Sequence, residues 1–219
     1  MDIHILTPFY RKHLLPTLIK YLKPMNIIWH PVCDPVDIQA FENNSFSWIK
    51  GFLTKPITDS AYRKINDFIE AGHIIDSDYY CCMGDDDMFE PGLFDMVRQQ
   101  TAKIIFISGS LGDSVPDSVQ GGHQPRTLWI KKSSDIITGS IGFAQFIVKG
   151  EILKQIKFRL ENCYDDGALC MELRDRWPND YVIMSNWFVF GNYFEKGRYT
   201  NNNWKIKPEW ENPVFYELK

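Results

Sequence analysis

The sequence is short of several things, and each shortage closes a class of function. It has no run of lysine or arginine: 24 basic residues are scattered against 28 acidic ones, for a formal net charge of −4. A phosphate backbone needs a basic face, so nucleic-acid binding is not expected. The five cysteines, Cys33, Cys81, Cys82, Cys163 and Cys170, are an odd set without zinc-type spacing, and two sit side by side in a strand-like run. They read as reduced, buried thiols. His4, His13, His30 and His73 show no clustered ligand spacing, and His123 stands alone in a loop. No segment approaches the roughly 20 apolar residues that span a bilayer. The opening "MDIHILTPFY" is a strand pattern, not a basic and then apolar leader. The expectation is a cytoplasmic chain with no transmembrane segment, internal repeat or low-complexity tract.

What is present suffices for one full core: 219 residues, 44% of them hydrophobic and 15% aromatic. "IHIL" reads as a buried strand, "HLLPTLIKYL" as an amphipathic helix with Pro16 in its first turn, and "NIIWHPV" as a second strand. A helix follows, capped by Thr58 or Asp59 and stopped at Gly72, with Ala61, Ile65, Phe68 and Ile69 on one face. "DYYCCM" and "KIIFIS" are further strands, separated by a short helix from Pro91 to about Gln99. This alternation predicts a mainly parallel, doubly wound α/β sheet, whose ligands bind at the carboxyl ends of its strands. Thr7, Asp34 and Asp85 to Asp87 fall at such ends. The Gly, Ser, Asp and Pro-rich stretch from Gly112 to Arg126 reads as a mobile loop or lid. Beyond it come strands at "TLWIK" and "FAQFIV", a short helix at "GEILKQI", a helix opening on Asp165 and Asp166, and an aromatic strand, "YVIMSNWFVFGNYF".

The stretch "YYCCMGDDDMFEP" drives an apolar strand into three consecutive carboxylates. Such neighbours repel and raise one another's pKa unless a cation neutralises them, and an oxygen-only set suits Mg²⁺ or Mn²⁺. If the segment is extended, Asp85 and Asp87 share a face and Asp86 points elsewhere. The plain alternative is a solvated acidic turn, or a cap for the helix after Pro91. The apolar strand before it and its place in the alternation favour the cation site.

"CMGDDDMFEPGLF" resembles the DXD region of GT-A fold glycosyltransferases, particularly the inverting glycosyltransferase family 2 group. "ILTPFYRKHLLPTLIKYL" resembles the opening of those enzymes, "SAYRKINDFIEAG" the helix before their DXD strand, and "YDDGALCMEL" the acidic pair that opens a later helix. The four segments occur in the expected order between about Ile3 and Leu173. The resemblance implies a GT-A type, Rossmann-like, doubly wound mixed sheet in a single domain spanning residues 1–219. Residues 1–108 would form the nucleotide-sugar half, and residues 109–219 the acceptor-side half with the C-terminal tail. It implies a nucleotide-diphosphate sugar donor, with a UDP-sugar expected, and Mn²⁺ or Mg²⁺. The acceptor, whether glycan, lipid-linked or protein, is left open.

By position, Asp87 matches the direct metal ligand, while Asp85 and Asp86 match residues reaching the ribose or the metal-bound water; Asp85 is also a candidate metal ligand. Thr7, Pro8, Arg11 and Asp34 match positions around base and ribose, and Arg63 or Asn66 would touch nucleotide or donor sugar. The family usually has Arg and Asn adjacent, whereas Lys64 and Ile65 separate them here. Gly84 stands where many members carry an Asp. Asp166, with Asp165 next, matches the base that takes the acceptor proton in inverting transfer; helix capping by either is the plain alternative. Glu161 and Glu172 are weaker substitutes. Gly139 and Gly142 around Ser140 could let backbone approach a sugar or phosphate, or simply form a turn before a strand. Inversion is the expected outcome, and retention would need no such base. Rival functions are a metal-dependent nucleotidyltransferase or phosphatase, and a non-catalytic sugar-binding module of the same fold.

Overall fold

Apolar runs bounded by breakers form the strands. A computed structural model describes residues 1–42, 46–54, 60–111, 126–138, 141–159 and 165–191. Strand β1 (Ile3–Pro8) is buried along its whole length, as befits a central parallel strand covered on both faces. It pairs in parallel with β2 (Ile28–Cys33) on one side and β4 (Tyr79–Cys82) on the other, and β2 continues in parallel to β3 (Phe52–Leu53). Strand β8 (Phe146–Lys149) then inserts antiparallel between β4 and β6 (Ile104–Leu111). Strand β9 (Tyr181–Gly191) lies parallel to β6, and β5 (Met88–Phe89) closes that edge antiparallel to β9. The sheet order is β3-β2-β1-β4-β8-β6-β9-β5, with β7 (Arg126–Leu128) paired to β6 off this path. β1, β2, β3, β4, β6 and β9 all point one way, and only β5, β7 and β8 oppose them. The chain thus forms a mixed, mainly parallel Rossmann-like α/β sheet.

Helices cover both faces. On one, Leu18, Tyr21 and Leu22 of α1 (Leu15–Leu22), Phe41 of α2 (Pro35–Glu42) and Leu93, Phe94 and Val97 of α4 (Leu93–Val97) pack with Ile5, Trp29, Cys81 and Met83. On the other, Ile65 and Phe68 of α3 (Ala61–Glu70), Ile152 and Leu153 of α5 (Gly150–Leu153) and Leu169, Cys170 and Leu173 of α6 (Asp165–Arg176) pack with Leu6, Tyr80 and Cys82. The four described cysteines are buried and free, as expected of them.

Several boundaries differ from expectation. Ser60 caps α3, its hydroxyl accepting from the Arg63 amide at 3.4 Å; Thr58 and Asp59 lie outside the described residues. Helix α4 starts after Gly92, which takes φ +84° and so turns the chain between Pro91 and the helix. In β9 the register to β6 jumps from Ile107↔Met184 to Ser108↔Phe188. The bulge is pinned by the Ser108 hydroxyl donating to the Ser185 carbonyl at 2.8 Å. Beyond it, Met88↔Phe190 sets the end of β9 beside the residue that follows Asp87. The expected lid at Gly112 to Arg126 lies outside the described residues but for Arg126, as do His123, Gly139, Ser140 and Glu161.

Candidate active site

The three carboxylates follow β4 in a tight turn, not an extended run. The Asp87 amide donates to the Gly84 carbonyl at 3.2 Å, and the Gly84 amide donates to Asp87 Oδ2 at 2.8 Å. This overturns the alternation expected of an extended segment: Asp86 and Asp87 now lie together over Gly84, and Asp85 is turned away. A Cβ on Gly84 would stand 2.7 Å from Asp87 Oδ2 and 3.1 Å from Asp86 Oδ1. Glycine at this position is therefore what lets both carboxylates fold back.

Asp85 reaches across to the loop that leaves β1. Its Oδ2 accepts the backbone N–H of Tyr10 at 2.7 Å and of Arg11 at 2.8 Å, and its Oδ1 accepts from Arg11 Nη1. It is 1% exposed. Charge-assisted hydrogen bonds of this kind each contribute about 1.5–3 kcal/mol, which is how a buried carboxylate is tolerated. The same Arg11 Nη1 lies 3.3 Å from Asp86 Oδ1. Asp86 Oδ2 is buried and has no hydrogen-bond partner among the described residues. Burial first, then the charge of Asp87, push the Asp86 carboxyl up to about 7, against the pull of Arg11.

A second ion pair completes this edge of the sheet. Lys64 on α3 is fully buried and places its Nζ 3.0 Å from Asp34 Oδ2, 3.0 Å from the Phe9 carbonyl and 3.7 Å from the centre of the Tyr10 ring. Thr54 donates to Asp34 Oδ1 at 3.2 Å. The carboxyl ends of β1, β2 and β4 are thus joined by a chain of contacts from Asp85 through Tyr10 and Lys64 to Asp34. Sequence reasoning had passed over Lys64 and Thr54. The available signal was a charged residue on the apolar face of α3, one helical turn from Phe68.

Other expected site residues take supporting places. Thr7 is fully buried and its Oγ1 accepts from the Trp29 indole at 2.9 Å; Pro8 ends β1, in register with Val32. Asn66 is buried, donating to the Phe158 carbonyl at 2.8 Å and accepting from the Phe158 amide at 2.9 Å. It ties α3 to the segment after α5, whereas its neighbour Arg63 is exposed. Asp165 opens α6, but its side chain lies outside the described part. Asp166 follows in the first turn; burial first, and then the charge of Asp166, push the Cys170 thiol up, and Cys82 is raised by burial, by Cys81 and, after them, by Asp166. Asp166 thus lies within electrostatic reach of Cys82, the last residue of β4. Glu172 pairs instead with Arg176 at 2.6 Å. A cavity of about 150 Å³ between α1 and α4, lined by Tyr21, Met25 and Phe94 among others, includes none of the acidic turn.

A hard divalent ion suits these donors chemically: they are all oxygen, carry net negative charge, and include one buried oxygen left without a partner. Among the described residues no three His, Cys, Asp or Glu side chains are already gathered as a metal-binding group.

No family model and no curated protein matches the chain. Similar solved structures include HddC from Yersinia pseudotuberculosis, at 10% identity over 86% of this chain and 92% of that one, with a TM-score of 0.48. Another is the 2-C-methyl-D-erythritol 4-phosphate cytidylyltransferase of Francisella tularensis, at 9% identity over 87% and 90%, TM-score 0.48. A third, described as a putative glucose-1-phosphate thymidylyltransferase from Bacillus anthracis, has 8% identity over 86% and 89%, TM-score 0.45. Among the described residues no helix is long and apolar enough to cross a membrane.

Proposed function

We propose that the chain is a divalent-metal-dependent transferase that uses a nucleotide-diphosphate sugar and moves the sugar to an acceptor hydroxyl. The observation that carries this reading is the buried, unpartnered Asp86 Oδ2 within a turn of three carboxylates at the carboxyl end of β4. Asp86 and Asp87 would hold Mn²⁺ or Mg²⁺ together with the donor diphosphate, and the ion would supply charge neutralisation for the leaving group. Asp85 fixes the Tyr10–Arg11 loop. Asp34, steadied by Lys64 and Thr54, meets the ribose or base, with uridine the expected nucleoside by resemblance. Thr7 and Asn66 support this edge from within the core. Asp166, or Asp165 beside it, takes the proton from the acceptor hydroxyl as it attacks the anomeric carbon opposite the leaving diphosphate, which inverts that centre.

Nucleotidyl transfer is the second reading. It draws on the same carboxylate, cation and phosphate chemistry, and the Francisella and Bacillus proteins above carry that activity in their descriptions. What favours the first reading is the loop after β1. It has no glycine, and its Tyr10 and Arg11 amides are spent on Asp85, leaving them no part in a backbone cradle for a triphosphate.

Titration calorimetry with UDP-sugars, with and without Mn²⁺, tests the site, and product analysis tests the reaction. Asp87→Ala is expected to remove the Mn²⁺-dependent part of donor binding; an unchanged affinity would sink the reading. Asp166→Asn is expected to bind donor normally and to lose at least about 100-fold in transfer rate, the usual worth of a general base. Full transfer by that variant would move the base elsewhere. Release of UDP marks glycosyl transfer, whereas pyrophosphate release from a nucleoside triphosphate and a sugar phosphate would establish the second reading.

A further inference from the structure

Arg11 occupies a position between two carboxylates that the site's chemistry assigns to a cation. Its Nη1 bonds Asp85 Oδ1 and lies 3.3 Å from Asp86 Oδ1, and its side chain is 32% exposed while those of Asp85 and Asp86 are 1% and 7% exposed. The guanidinium thus approaches from the solvent side and serves one oxygen of Asp86, leaving the buried Oδ2 without a partner. Asp85 does not depend on it alone, because the Tyr10 and Arg11 amides hold its other oxygen. The loop can therefore keep its course while the side chain leaves.

Resting on the function proposed above, we propose that Arg11 is a built-in counter-ion: it neutralises the acidic turn in the metal-free protein, yields Asp86 to the incoming divalent ion, and then turns its guanidinium to the donor diphosphate. A planar fork of N–H donors fits phosphate oxygens as well as carboxylates, so the same group serves both states. The two roles have opposite signatures. Without the guanidinium, metal binding loses a competitor and diphosphate binding loses a partner. An arginine that merely braced the loop would weaken both when removed.

The test is calorimetry on the full chain, first with Mn²⁺ alone and then with UDP at saturating Mn²⁺. Arg11→Met is expected to bind Mn²⁺ about tenfold more tightly and UDP about tenfold more weakly than wild type, each the size of one charge-assisted hydrogen bond. Arg11→Lys, which keeps the charge but not the fork, falls between wild type and Arg11→Met on both scales, and decides the matter if the Met variant does not fold. If wild type binds Mn²⁺ and neither variant binds it more tightly, the counter-ion role is overturned and the transferase reading stands. If Mn²⁺ binds none of the three proteins, with or without UDP, both are overturned.

Discussion

Gly84 stands where the resembled enzymes often carry an aspartate, and the structure gives the departure a reason. The Asp87 carboxylate folds back onto the Gly84 amide, and Asp86 crowds the same spot from the next position. A methyl group there would meet the Asp87 Cγ at 3.0 Å as well as the two carboxylate oxygens, so the carboxylates, not the strand, would have to move. Gly84→Ala is therefore expected to keep its melting temperature within a few degrees, since alanine also narrows the unfolded ensemble. It should nonetheless lose about tenfold or more in Mn²⁺-dependent nucleotide affinity, an interaction worth about 1.4 kcal/mol. Calorimetry beside a thermal melt separates the two effects. A variant with wild-type affinity would show that the placement of Asp86 and Asp87 is not what binds.

At the scale of elements, α3 is where sequence pattern and structure part most usefully. The apolar stripe of Ile65 and Phe68 and the stop at Gly72 were legible, because a 3.6-residue period and a left-handed glycine are local signals. The partners of its polar residues were not, because they lie 30 or more positions away: Lys64 reaches Asp34, and Asn66 reaches Phe158. Asn66→Ala would strand a buried amide and carbonyl of Phe158, at a cost of about 3 kcal/mol. The expected result is a lower urea midpoint with unchanged UDP affinity, and the reverse would restore Asn66 as a nucleotide contact. The same limit explains the other misses. "PVDIQAFE" lacks a clear apolar stripe, so α2 went unread, and β3 and β5 have two residues each and exist only through their neighbours β2 and β9. The antiparallel insertion of β8 beside β4 joins segments more than 60 residues apart, which no local pattern encodes. The strands β1, β2, β4 and β6 were plain because each contains a continuous buried run. The acidic turn was located correctly, but its internal geometry depends on hydrogen bonds to Gly84 and to the β1 loop.

Across the whole molecule, two buried titratable sites occupy opposite ends of β4 and oppose each other in pH dependence. Beside the start of β4, His4 Nδ1 lies 2.9 Å from His30 Nε2 and its Nε2 lies 3.4 Å from Asp78, with Tyr80 stacked on His4 and Phe68 tilted against His30. Burial, then the neighbouring His4, push His30 down to about 3; His4 is also lowered by burial, against the pull of Asp78. A histidine whose folded pKa lies below its unfolded 6.5 costs nothing above that pH, and it withdraws stability as pH falls toward 3. Beyond the end of β4, Asp86 does the opposite. Its folded pKa of about 7 exceeds the unfolded 3.8, so its contribution is complete below that value and is lost as pH rises through 7. Each group changes stability by about 1.4 kcal/mol per pH unit inside its window. In metal-free protein the stability difference between Asp86→Asn and wild type should therefore grow with pH from 4 to 7 and level off above. The difference between His30→Gln and wild type should shrink over the same climb and level off near 6.5. Urea denaturation at half-unit steps from pH 4 to pH 8 measures both curves, and slopes of the same sign would overturn the assignment. Mn²⁺ with UDP should abolish the advantage of Asp86→Asn and leave the His30→Gln curve alone, because the proposed ion meets only the carboxyl end of the sheet.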